Sequence, residues 1–177
     1  MDRGKTVCFI DNSNIFKGQQ SAGWKIDWKK FGAFLNSFGE VWQTHFFASE
    51  DDPPRAIQTG FYKQLKENLR WEIHLYHLGK KTVTCPGCRK KTVVPAEKGV
   101  DVGLATKMLT LGVDRVYETA IFVAGDNDYL ETVRYIKARG QRVEIISWKG
   151  ALARDLGLES SSTPIYFDDL KSKILRV

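Results

Sequence analysis

Short apolar runs alternate along the chain with longer stretches of helical spacing. Residues 6–10 (TVCFI) and 120–124 (AIFVA) carry no charge, as strands buried on both faces do. Residues 41–48, 71–78 and 142–148 read as three further strands. Between them, residues 28–38, 53–69, 101–111 and 129–139 place apolar side chains at helical spacing. The second of these opens on a proline pair suited to a first turn, and the last stops at Gly140, which suits a position just past a helix end. Strands alternating with helices predict a mostly parallel central sheet covered on both faces, a three-layer α/β domain. Residues 79–95 break the rhythm. Two β-prone triplets there, 82–84 and 92–94, flank a Cys-Pro-Gly-Cys turn, the pattern of an inserted β-hairpin arm.

Composition narrows the class without changing the picture. The 177 residues fit a single domain over 1–177, with 42% hydrophobic and 27% charged residues, an ordinary globular balance. No apolar run approaches a membrane span, and residues 1–12 hold too short an apolar stretch for a secretory signal, so a cytoplasmic protein is expected. Three cysteines, Cys8, Cys85 and Cys88, are too few for a disulfide scaffold and suit a reducing compartment. The formal charge is +6, and its location matters more than its size. Six bases (Lys80, Lys81, Arg89, Lys90, Lys91 and Lys98) face one acid, Glu97, so the arm and its flank carry nearly the whole excess.

The carboxylates fall at strand tips. Asp11 directly follows the first strand in FIDNSN, and Asp126 and Asp128 follow the fourth in VAGDNDY. Both strands are apolar and suit central, adjacent places, where ligands bind beyond the carboxyl ends of an open α/β sheet. Asp101, in KGVDV, opens a helix that can face the same edge. Each aspartate alone also reads as a helix cap, whose oxygen accepts unpaired N–H groups. Together they form a cluster of like charges, which a hard divalent cation makes tolerable. Oxygen ligands with amide neighbours favour Mg²⁺ or Mn²⁺ over Zn²⁺. A carboxylate centre beside a basic arm suggests phosphate chemistry, in which a metal polarises the phosphoryl oxygen and acidifies a water. Asn12 and Asn14 are candidate phosphate or water donors, or simply turn formers. Lys98 is a candidate point charge for a phosphate, or a solvated lysine. Ser13 and Ser147 are weaker lining candidates.

These same motifs, DNSN after the first strand, KGVDV and VAGDNDY in that order, resemble the NYN domain (LabA-like) family of PIN-like nucleases over most of the chain. The resemblance implies a PIN-like α/β/α sandwich and a metal-dependent ribonuclease centre. In it, Asp11, Asp101, Asp126 and Asp128 hold Mg²⁺ or Mn²⁺, with Asn12 and Asn14 beside them. An activated water would cut an RNA phosphodiester to leave a 5′-phosphate and a 3′-hydroxyl. Two departures stand out: many relatives carry a further acid where this chain has Lys107, and an Asp where residues 160–163 stand here. A PIN-like RNA-binding module without turnover is the alternative reading.

Cys85 and Cys88 have the spacing of a zinc knuckle but supply only two of four ligands. His74 and His77 point to opposite faces of one strand, so at most one could join, unless a second chain completes the site and makes a homodimer through the arm. A simple turn and a redox pair are the other readings. Whatever the thiols do, Lys80, Lys81, Arg89, Lys90 and Lys91 make the arm the best phosphate-backbone contact in the chain, for which RNA is the expected partner. Trp24, Trp28, Tyr129 and Trp148 lie near strand tips, where they would stack on bases or fill the core. Other chemistries find no footing. Ser13 stands where a haloacid-dehalogenase-type phosphatase needs a second acid, no glycine-rich phosphate loop is present, and no Ser/His/Asp elbow is visible.

Overall fold

The computed structural model describes residues 3–96 and 98–177. The two charge-free runs become the innermost strands, β1 (Thr6–Asp11) and β6 (Thr119–Val123), with every residue of both buried. They pair in parallel, Phe9 opposite Phe122. β2 (Val41–Glu50) and β3 (Glu72–His77) extend the sheet on one side, and β7 (Arg142–Ser147) and β8 (Ile165–Tyr166) on the other. The order is β3-β2-β1-β6-β7-β8, and every pairing in it is parallel.

Side chains alternate across this sheet, so each face builds its own core. Cys8, Ile10, Ile121 and Val123 face α1 (Asn12–Ala22), α2 (Trp28–Asn36), α3 (Ala56–Leu69) and α7 (Phe167–Ile174). Val7, Phe9, Ala120 and Phe122 face α4 (Val100–Val113), α5 (Leu130–Ala138) and α6 (Arg154–Leu158). The expected three-layer α/β/α sandwich is the result. No helix among the described residues is long and apolar enough to cross a membrane.

Several elements depart from the periodicity reading. α1 has few apolar residues, and it forms because Asp11 accepts hydrogen bonds from the first-turn amides while Gly23, at φ 71°, ends it. α3 starts at Ala56, after the proline pair rather than on it. A 3₁₀ turn, Asn127–Tyr129, precedes α5, capped by Asp126. The serine run seals the β7 edge: Val143 N–H donates to Ser161 Oγ at 3.0 Å and Ile145 N–H to Ser160 Oγ at 3.2 Å. With β8 only two residues long, those amides would otherwise lack a ladder partner.

The arm stands outside the main sheet. β4 (Gly79–Thr84) and β5 (Lys91–Ala96) pair antiparallel as a separate two-stranded sheet. Its tip is closed by Cys85 N–H on the Lys90 carbonyl and Arg89 N–H on the Cys85 carbonyl, both at 2.9 Å.

Candidate functional site

From β1 the chain builds outward to β2 and β3, whereas β6 leads the other way to β7 and β8. The sheet order therefore reverses between β1 and β6, and the crevice beyond their carboxyl ends is where such sheets bind ligands. Asp11, the last residue of β1, lies on one lip, and Asp126, just past β6, lies on the other.

Asp11 is 3% exposed. Its Oδ1 accepts the amides of Ser13 at 2.9 Å and Asn14 at 3.2 Å, so the capping reading is realised. Capping does not exhaust the residue. Its Oδ2 lies 3.3 Å from the Tyr129 hydroxyl, and Asp101 Oδ1, from the first turn of α4, lies 3.0 Å from the same hydroxyl. One phenol proton thus serves two carboxylates. Burial, then the charges of Asp11 and Asp101, push the Tyr129 phenol far above its ordinary value, so it stays a donor. Asp126 caps the 3₁₀ turn, accepting the Asp128 amide at 3.2 Å, and both side chains are exposed to solvent.

The structure thus links Asp11 to Asp101 through the Tyr129 hydroxyl and places Asp126 and Asp128 at the neighbouring strand tip. Among the described residues, no three aspartates bring their oxygens within 4.8 Å of one another. Two buried oxygens on flanking elements, Asn14 Oδ1 on α1 and Ser147 Oγ at the end of β7, have no hydrogen-bond partner. A donor set of carboxylate, amide and hydroxyl oxygens fits a hard divalent cation. Gly125 lets the strand tip adopt this path, because a Cβ there would lie 2.4 Å from the Ala151 carbonyl oxygen and 2.6 Å from Ser147 Oγ.

The sequence matches the NYN domain family over residues 5–162. The chain belongs to the NYN domain family. No curated protein matches it. Among solved structures, a protein of unknown function, VPA0982 from Vibrio parahaemolyticus RIMD 2210633, is similar at 18% identity, with a TM-score of 0.73 over 99% of each chain. At that identity the likeness concerns the fold.

The rest of this NYN domain divides the remaining candidates. Lys80, Lys81, Arg89, Lys90 and Lys91 are all exposed along the arm, and Lys98 is exposed just before Gly99, which opens α4. Cys85 and Cys88 are free and exposed, and hydrogen bonds from the Cys88 backbone and thiol hold the Cys85 thiol below its usual value. No third ligand joins them among the described residues. His77 faces Glu50 at 3.6 Å, and His74 meets His45 instead. Lys107, on α4, lies close enough to His45 and His74 to lower both of their pKa values.

Base stacking by Trp24, Tyr129 or Trp148 is overturned, because all three are buried. Trp148 donates its ring N–H to the Ile15 carbonyl at 3.3 Å and packs edge-on against Trp24, and Trp28 sits among Phe31, Phe46 and Trp71. A cleft of about 680 Å³ starts at Asn12 and Ser13 and is lined by Phe16, which is 51% exposed. Sequence reasoning missed this cleft and the bridging role of Tyr129. It also missed a His45, Glu72 and His74 group, whose signal was the Glu-x-His spacing on a strand.

Proposed function

We propose that this NYN domain is a metal-dependent ribonuclease that hydrolyses RNA phosphodiester bonds. The observation that carries the reading is the convergence of Asp11 and Asp101, from distant parts of the chain, on the Tyr129 hydroxyl at the sheet's reversal point. Asp11, Asp101 and Asp126 would hold Mg²⁺ or Mn²⁺ with Asp128 assisting, and the ion would supply a polarised phosphoryl oxygen and a more acidic water. Tyr129 keeps the Asp11 and Asp101 carboxylates facing one point before a cation or substrate arrives, so less reorganisation accompanies binding. The side-chain amides of Asn12 and Asn14 donate to phosphate oxygens, and Lys98 adds a point charge at the mouth of α4. The arm bases grip the backbone away from the centre.

The test is cleavage of an end-labelled single-stranded RNA with Mn²⁺ and with excess EDTA. Asp126→Asn, whose side chain is exposed and whose cap the amide oxygen can still make, should cut turnover more than about 100-fold while RNA affinity stays within about twofold. Unchanged turnover in that variant sinks the acid assignment. Tight RNA binding by the native protein without any metal-dependent cleavage would favour an RNA-binding module instead.

A further inference from the structure

A second constellation lies outside the acidic crevice. His45 on β2, and Glu72 and His74 on β3, share the sheet face that carries Phe9 and Phe47. His74 stacks on Phe47 at 4.4 Å and His45 on Phe9 at 5.5 Å, which fixes both rings. His45 Nδ1 lies 3.1 Å from His74 Nε2 and 3.2 Å from Glu72 Oε2, and the three residues can each bring one ligand atom within 4.8 Å of the others. Gln43 Nε2 donates to the other Glu72 oxygen at 3.1 Å, which steadies the carboxylate with Oε2 towards the rings.

Hydrogen bonding alone satisfies this arrangement poorly. His45 is buried, and its Nε2 has no hydrogen-bond partner among the described residues. A neutral imidazole carries one N–H, so one ring proton on Nδ1 cannot serve His74 and Glu72 equally. Three lone pairs converging on one point are what a cation satisfies. A tetrahedral site with bonds of about 2.0–2.1 Å has edges of about 3.3 Å, close to the two separations observed. Imidazole nitrogens with one carboxylate suit a borderline transition metal, not Mg²⁺.

We propose that His45, Glu72 and His74 form a binding site for a zinc-class divalent metal ion that fastens the edge strand β3 to β2. The fourth position opens towards solvent on the Glu72 side, whose side chain is 46% exposed. His74 is in register with Phe47 and Phe47 with Asp11, so the site lies two strand spacings, about 10 Å, across the sheet from the acidic centre. The Lys107 charge on α4 acts on both rings and opposes a bound cation, which makes it a second handle on the site.

The experiment uses full-length protein with Cys85→Ser and Cys88→Ser, stripped with chelator and titrated with Co²⁺ and then Zn²⁺. Tetrahedral Co²⁺ absorption and a Zn²⁺-dependent rise in Tm are expected, with no competition from millimolar Mg²⁺. Glu72→Gln and His74→Gln, each checked for native circular dichroism, should weaken Zn²⁺ binding by more than about tenfold. Lys107→Gln should tighten it a few-fold. Absence of a Co²⁺ spectrum in the Cys85→Ser/Cys88→Ser protein, or native affinity in His74→Gln, overturns the proposal. Binding present only when both cysteines are intact assigns the metal to the arm, and binding lost in Asp11→Asn but kept in His74→Gln assigns it to the acidic centre. Either result also overturns it.

Discussion

Tyr129 stands between two carboxylates with a single proton to offer. Tyr129→Phe keeps the ring packing on Phe122 and removes only that proton, leaving Asp11 and Asp101 to repel each other. The metal-free variant should lose about 1–2 kcal/mol of stability, and millimolar Mn²⁺ should recover most of it. Thermal unfolding with and without Mn²⁺ reads this directly; a loss that Mn²⁺ leaves untouched means the carboxylates do not share a cation. Gly125→Ala tests a different constraint, because its Cβ would press on the Ala151 carbonyl and on Ser147 Oγ. About 1–3 kcal/mol of destabilisation is expected in urea, with the Asp126 tip displaced. A stability equal to the native protein's would show that the loop yields freely. The aspartates at these tips were legible in the sequence because strand ends and helix starts are marked by composition. The phenol was not, since its role depends on a 3₁₀ turn that carries Tyr129 back over Asp11 rather than out to solvent.

At the scale of elements, the arm and the sheet edge make opposite demands. β4 and β5 bond only to each other in the sheet network, and side chains 80–90 are all exposed. Exchanging Lys80, Lys81, Lys90 and Lys91 for Gln should therefore leave Tm nearly unchanged while weakening RNA binding. If each lysine meets one phosphate, the slope of log K against log salt should fall by up to about 0.7 for each lysine exchanged. An unaltered slope removes the arm from the binding surface. The serine run behaves in the reverse sense. Ser160→Ala with Ser161→Ala strips two acceptors from the β7 amides and should cost about 2 kcal/mol without touching RNA affinity. That role also explains why these positions hold small hydroxyls: they complete an edge that β8 is too short to cover. The arm was readable from two β-prone triplets around a Cys-Pro-Gly-Cys turn. By contrast α1 was not, because it owes its ends to Asp11 and Gly23 and carries little periodicity between them. The C-terminal elements β8 and α7 were likewise invisible, being short and defined by what they cover.

Across the whole molecule, stability and charge are concentrated in different places. β1 and β6 are buried along their full length at the centre of the sheet, so their amides should exchange with deuterium only through global unfolding. The arm, solvated on both faces, should exchange orders of magnitude faster. This separation suits the proposed nuclease: the acidic crevice rests on two fully buried strands, while the basic excess lies on an exposed arm. It also yields a map of binding. Hydrogen exchange followed with single-stranded RNA in EDTA, where no cleavage occurs, should slow the amides of the arm and those around Asn12 and Lys98. The turns at the opposite edge of the sheet, around Gly4 before β1 and Gly140 before β7, should not change. Protection confined to those turns would place the RNA at the wrong edge of the sheet for the carboxylates and would end the case for cleavage there. Protection of the arm without the Asn12 and Lys98 segments would describe a chain held but not presented to the centre, the behaviour of a binding module. Both regions slowing together, with Mn²⁺ restored afterwards giving cleavage of the same RNA, is the outcome that links grip to chemistry.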